Sequence, residues 1–316
     1  MSMDLRPLSL GELLDRAFTL YRRHLWLFVG IMAVPSVFAL ALALVVTWFQ
    51  YTTRTSFAPA GRAAPPSAEA VIAILGMFVG MFVITLVYFV VYMVALGATS
   101  VAVSELYLDR PATVSEVYGR MRGRIGRLAL LMLIAVIRIG GLGFAGAILI
   151  GMGGAIAAAL SPILSVAVVL PGMVIVGGGC LYLTLRYGVA VPALVLEDLT
   201  ARNAIRRSIE LTRGGLMRVF LLWLCATVIT YAGVALFQGP FALAALVAGP
   251  ETIRGFWLNL MGVVIGTIGG TFTGPVMIVG LALLYYDMRI RHEGFDLELM
   301  IDALDRKGPP PEPARA

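Results

Sequence analysis

Long apolar runs alternate along the chain with short charged stretches, and that alternation predicts its elements. Leu25–Thr53, Ala70–Ser104, Ile139–Leu185, Val219–Pro250 and Gly255–Tyr286 contain no Asp, Glu, Lys or Arg. A helix that crosses a bilayer needs about 20 apolar residues, so four of these runs predict one spanning helix each. Ile139–Leu185 is too long for one helix and holds parts of two. Ser161-Pro162 lies near its middle. The residue before a proline is driven out of the helical region, which predicts a tight turn there. Six spanning helices follow, at roughly 25–50, 70–104, 128–159, 163–196, 216–247 and 256–286.

The charged stretches between them carry a second pattern. From Ser9, the residues Leu10, Leu13, Leu14, Ala17, Phe18 and Tyr21 repeat at helical spacing. From Thr113 the same face holds Val114, Val117, Tyr118, Met121 and Ile125, and from Thr200 it holds Ala201, Ala204, Ile205, Ser208 and Ile209. Ser9-x-x-Glu12 and Thr113-x-x-Glu116 are capping boxes, whereas Asn203 stands in the glutamate's place in the third. Without gaps, Ser9, Thr113 and Thr200 superpose, and so do Arg16, Arg120 and Arg207. The inward-running helices end alike, in Leu106-Tyr107-Leu108-Asp109, Leu194-Val195-Leu196-Glu197-Asp198 and Leu284-Tyr285-Tyr286-Asp287. The predicted fold is an all-α polytopic membrane protein of six transmembrane helices in three parallel repeats. Each repeat (about 9–109, 113–198 and 200–287) is an interfacial amphipathic helix plus two spanning helices. These helices are expected to lie with their apolar faces in the acyl boundary and their arginines toward headgroups. A short amphipathic helix at 295–305 closes a single membrane domain, 1–305, ahead of a disordered Pro-rich tail, 306–316. The loop 52–67 is also expected to be disordered.

Composition supports this picture. The chain is 60% hydrophobic and 13% charged, against about 45–50% and about 25% for a soluble domain, which excludes a large soluble catalytic domain. Six helices put both termini on one side, and that side carries 19 Lys and Arg residues against three on the other. The positive-inside rule makes the basic side cytoplasmic, in a bacterial inner membrane. Trp26 and Trp48 bracket the first span, roughly 33 Å apart by helical rise, as interfacial anchors would. The net charge of +6 then reflects topology and predicts anionic lipid as a partner, with no nucleic acid. A protein partner at the cytoplasmic face is the other expectation. Met1–His24 has no short apolar core or small-residue cleavage site and is not expected to be a removable signal.

The opening Leu5-Arg6-Pro7-Leu8-Ser9-Leu10-Gly11-Glu12-Leu13-Leu14-Asp15-Arg16-Ala17-Phe18 resembles that of bacterial proteins of the glycerophosphoryl diester phosphodiesterase membrane domain family. Members often begin with a similar R-P-L-x-x-G-E-I/L-L-D segment. The closing Tyr285-Tyr286-Asp287-Met288-Arg289-Ile290-Arg291, with Glu293-Gly294-Phe295-Asp296, is also similar to the family's end. The resemblance implies a membrane region that in some members precedes a soluble phosphodiesterase barrel. Only 30 residues follow Tyr286, and a barrel needs about 250, so the expectation is the membrane region alone. No catalytic residue carries over.

Candidate chemistry is sparse. Arg138 and Arg186 are the charges inside the spans, each roughly 16 Å of helix from a flanking charge, Arg127 or Glu197. Intramembrane charge faces the bundle interior or water. The pair therefore reads either as an anion or lipid-headgroup site built from two guanidinium forks, or as two arginines that snorkel to the interface. Gly262, Gly266, Gly270 and Gly274 recur every four residues and predict close helix packing. The glycines of 140–154 with Pro171 and Gly177–Gly179 mark the region expected to move or line a cavity. Cys180 and Cys225 lie in apolar runs as packing residues, and His24 and His292 are isolated. No phosphate loop, nucleophile elbow or zinc motif is present, so neither a cofactor, a metal site nor enzyme activity is expected. Three functions stay open: organising lipids or partner proteins at the cytoplasmic face, transport or lipid translocation through an Arg138/Arg186 anion site, and a membrane enzyme acting on lipid.

Overall fold

A computed structural model describes residues 9–56, 68–108, 110–249 and 252–293. The helix expected at 295–305, the tail 306–316 and most of the loop 52–67 lie outside them. The described residues are helical, in the order α1 (Leu10–Arg23), α2 (Leu25–Ser56), α3 (Ala68–Tyr107), α4 (Val114–Met121), α5 (Ile125–Ala135), α6 (Gly141–Leu160), α7 (Pro162–Arg186), α8 (Ala190–Leu196), α9 (Ala201–Leu211), α10 (Leu216–Ala248) and α11 (Ile253–Glu293). Among them are six helical stretches long and apolar enough to cross a membrane.

The helix starts follow their caps. Ser9 Oγ accepts from the Glu12 N–H at 3.3 Å, and the Glu12 carboxylate accepts from the Ser9 N–H at 2.7 Å. Thr113 and Glu116 repeat this exchange at 3.4 and 3.2 Å. Thr200 makes no side-chain cap, and Asn203 stands where the two capping boxes have their glutamate. Ser161 alone separates α6 from α7: its extended backbone ends one helix, and its Oγ accepts from the Ile163 N–H above Pro162 in the first turn.

The structure refines the predicted bounds. α4 runs into α5 through one 3-10 turn, Arg122–Arg124, and α5 into α6 through a π-helical segment, Val136–Gly140. The fourth span breaks at Tyr187–Val189 between α7 and α8.

Tyrosines of the shorter helices donate into α2 and α11 near their prolines. Pro35 has no N–H, so the carbonyl four residues earlier, that of Ile31, loses its helical donor. The Tyr118 hydroxyl donates to it at 2.7 Å. Near Pro275 the Tyr21 hydroxyl donates to the Phe272 carbonyl. Between α2 and α11, Thr271 donates to Ser36, whose own hydroxyl donates back to Met32.

The buried core gathers at the arginine-rich end. It holds Leu13, Ala17 and Tyr21 of α1, Val117 and Met121 of α4, and Ala201, Ala204 and Ile205 of α9, closed over Val94–Val103, Val189–Val195 and Ile278–Tyr285. Much of each amphipathic helix's apolar face therefore packs on the ends of other helices where an acyl boundary was expected, while Phe18, Ile125 and Ile209 stay exposed. α1 packs on α11, α4 on α3 and α9 on α8, while α3 touches both α8 and α11. At the other end, α6 and α7 pack chiefly on each other. Phe144, Leu149, Leu160, Ile163, Val174 and Ile175 stand exposed there, as they would toward lipid.

Candidate functional site

Acids near the arginine-rich ends of α3, α8 and α11 each hold arginines. Glu105 receives Arg120 Nη1 at 2.6 Å. Glu197 receives Arg207 Nε on both oxygens at 3.1 Å and the Tyr285 hydroxyl at 2.6 Å, with Arg289 at 3.9 Å. Asp287, with its side chain almost fully buried, pairs with Arg218 at 3.3 Å and Arg291 at 3.0 Å. Arg16 hydrogen-bonds Tyr107 at the end of α3, and Tyr107 stacks on Tyr286. Arg16, Arg120 and Arg207 thus each reach the end of a spanning helix. For Arg207 the signal was in the sequence, where Glu197 closes a helix-ending motif, whereas Arg120 meets Glu105 and Arg16 meets Tyr107, upstream of the acid in theirs. The spacing alone could not say which arginine meets which acid.

Arg138 and Arg186 engage different groups. Arg138, exposed on the π-helical segment, donates from Nη1 to the Tyr187 hydroxyl at 3.1 Å. Arg186 donates from Nε to the Tyr182 hydroxyl at 3.1 Å and lies over that ring. Its Nη1 donates to the Ile209 carbonyl at 3.1 Å, at the negative end of the α9 dipole. Ser208 of α9 in turn donates to the Arg186 carbonyl at 2.7 Å, so α7 and α9 cap each other's orphan carbonyls. Sequence reasoning missed Tyr182, one turn before Arg186 on α7, and the Tyr187 contact with Arg138; Ser208 was read only as part of the α9 face, because its bond to α7 joins elements that pattern alone does not pair.

Two hollows lie along α3, α5 and α8. The deeper one, about 200 Å³, is mostly apolar and includes Tyr92, Ser100, Leu131, Thr184, Tyr187 and Val191 in its lining. The other is a cleft of about 460 Å³ at the arginine-rich end, with Ser104, Arg127 and Val195 at its back. On each helix the paired residues are four apart, about 6 Å of rise, so one turn of packed side chains separates the two. Met121, Leu128 and Val195 crowd Gly97 of α3, where a Cβ would come within 3.0 Å of Met121 and Val195.

Across the cleft, Arg124 Nε donates to Asp198 Oδ1 at 3.1 Å and Arg127 Nη2 to the same oxygen at 3.0 Å. Arg127 Nη1 also donates to the carbonyls of Asp198 and Leu199. The hydrogen bond and charge of Arg127, helped by Arg124, hold the Asp198 carboxyl below the usual carboxylate range.

Of the four-residue glycine stripe, Gly262 and Gly266 face α10 so closely that a Cβ would meet Phe241 at 2.9 Å and Gln238 at 2.8 Å. Gly270 has ordinary spacing to Val234, and Gly274 has open space. Gly269 and Gly233, outside the stripe, are the tighter contacts of that pair. Cys180 and Cys225 are free and half-buried. Among the described residues no group of three or more His, Cys, Asp or Glu could hold a metal ion.

Residues 160–298, from the end of α6 onward, match the family model described as the membrane domain of glycerophosphoryl diester phosphodiesterase. The match covers less than half of the chain, and it is to the membrane domain alone. The described residues contain no barrel of strands. No curated protein and no solved structure matches the chain.

Proposed function

We propose that this integral membrane protein is non-catalytic and gathers anionic lipid, together with proteins drawn to it, at the cytoplasmic face of a bacterial inner membrane. Both termini lie on that face in this reading, which the 19-to-three distribution of Lys and Arg supports. One observation carries it. Arg22 in the last turn of α1, Arg122 after α4, Arg202 in α9 and Arg213 after it are exposed and make no ion pair with a described residue. Each short helix thus offers a charge that no acid of the described residues neutralises. A basic residue near an anionic leaflet is attracted by about 1 kcal/mol.

The test is lipid retention. Protein purified from mixed phosphatidylglycerol and phosphatidylethanolamine nanodiscs should retain phosphatidylglycerol above its bulk fraction. The variant with Arg22, Arg122, Arg202 and Arg213 all changed to Gln should show a smaller enrichment, measured by lipid mass spectrometry. Equal enrichment in both overturns the proposal.

A threefold organisation belongs to the same reading. The capping boxes, the matched arginines and the seating of α1 on α11, α4 on α3 and α9 on α8 support three parallel copies closed into a ring.

A second reading, transport or lipid translocation, is favoured by Tyr187, which lines the deeper cavity and is held by Arg138. π-segments of this kind recur at functional sites. In that reading Arg138→Ala alters flux across vesicles at unchanged stability, and no change counts against it. A lipid-directed enzyme has the least support, since no sequence motif carries one.

A further inference from the structure

We infer that the cleft of Arg120, Arg124 and Arg127 is a phosphate-binding site whose own carboxylate, Asp198, stands in for the ligand. The inference deepens the lipid reading above, from a diffuse attraction to one built position.

Three guanidiniums line the cleft, and two of them converge on a single oxygen of Asp198. Arg fits phosphate because its planar fork offers parallel donors to two oxygens. Much of that capacity is unused. Arg124 meets Asp198 through Nε alone, and Arg120 meets Glu105 through Nη1 alone. Asp198 Oδ2 accepts from no described residue. A phosphate oxygen taking the place of Oδ1 would bring further oxygens to the open edges of Arg124 and Arg120, which one carboxylate cannot reach.

The stand-in is also easily displaced. The Asp198 side chain is 63% exposed, and an exposed ion pair contributes little to stability. Its backbone has φ of 52° and is fixed independently by Arg127 on the Asp198 and Leu199 carbonyls. The carboxylate can therefore rotate away while the turn stays in place. Glu105, the other acid in the lining, is less exposed and already pairs with Arg120. Val101, Val195 and Leu196 give the cleft an apolar wall, and its volume lies within the range of ligand sites. The chemistry recognised is a phosphate monoester or diester, from a lipid headgroup or from a soluble phosphate.

Asp198→Asn separates this from a purely structural ion pair, because the two readings predict opposite signs. Asn tolerates the left-handed backbone as Asp does, so the variant keeps the turn. If the carboxylate competes with phosphate, Asp198→Asn binds inorganic phosphate about fivefold more tightly than wild type, the most that an exposed ion pair withholds. Titration calorimetry on the full chain in detergent reads this. Arg124→Gln with Arg127→Gln should abolish the binding. Retention of phosphatidylglycerol from nanodiscs forms the second arm. A rise in Asp198→Asn for both probes identifies a headgroup site, and a rise for inorganic phosphate alone identifies a soluble phosphate. If neither probe responds to Asp198→Asn, or if binding falls, the inference is overturned. The fourfold Arg→Gln variant of the lipid test leaves this cleft intact, so the two proposals fail separately.

Discussion

The arginine-rich end and the α6–α7 hairpin are held together by opposite means. At the first, large side chains are sealed from solvent: Leu13, Phe28, Leu194 and Tyr285 are fully buried, and acids tie arginines across them. In the second, glycines admit the neighbouring chain. A Cβ on Gly146 would lie 2.5 Å from Val176 and one on Gly154 would lie 2.7 Å from Val169, while the large apolar residues point outward. Burial from water stabilises the first region. Lipid offers no such gain, so close backbone approach has to hold the second. The two regions should therefore fail under opposite substitutions, large to small in one and small to large in the other.

The largest expected effect is Tyr285→Ala, which opens a cavity and removes the donor to Glu197. Aromatic truncation in a core costs about 3–5 kcal/mol. Val174→Ala on the exposed hairpin surface should stay within about 0.5 kcal/mol. Thermal unfolding in detergent compares them, and similar losses would erase the contrast. Next is Gly146→Val, an overpacking change of about 1–3 kcal/mol. Val176→Ala should restore much of the loss, as it could not if the hairpin were loose. Third, Tyr118→Phe orphans the Ile31 carbonyl, at about 1–3 kcal/mol. In a Pro35→Ala background the helix supplies its own donor, so the same change should matter less.

Smaller effects test the helix starts. Thr113→Ala removes an observed cap and should destabilise by about 1 kcal/mol, whereas Thr200→Ala removes none and should be close to neutral. The smallest concerns pH. Because the folded-state carboxyl of Asp198 titrates below its ordinary value, its contribution is present above about pH 4 and is lost as pH falls through the folded value. The melting difference between wild type and Asp198→Asn should shrink on acidification, and a constant difference would count against the pairing.

What the sequence discloses follows the range of each interaction. The six apolar stretches, the turn at Ser161-Pro162 and the caps at Ser9 and Thr113 depend on residues a few positions apart, and all are legible. The amphipathic faces were legible as faces, but whether Leu13 and Ala17 meet lipid or protein depends on α11, far along the chain. Arg186 showed the same limit. Its place inside an apolar span, far from the flanking Glu197, marked an unusual charge, yet its partners on α9 come only from the fold. Tyr118 looked like one more apolar residue until Pro35 gave its hydroxyl a role.

The seating of α1 on α11 also has a temporal side. Tyr21 meets the Phe272 carbonyl across 251 residues of chain, and a ribosome adding about 5–20 residues per second takes roughly 13–50 s to cover that distance. Throughout that interval the apolar face of the first helix exists without its final neighbour. During biogenesis that face needs a temporary cover, from the bilayer surface or from the insertion machinery, and the last span to emerge releases it.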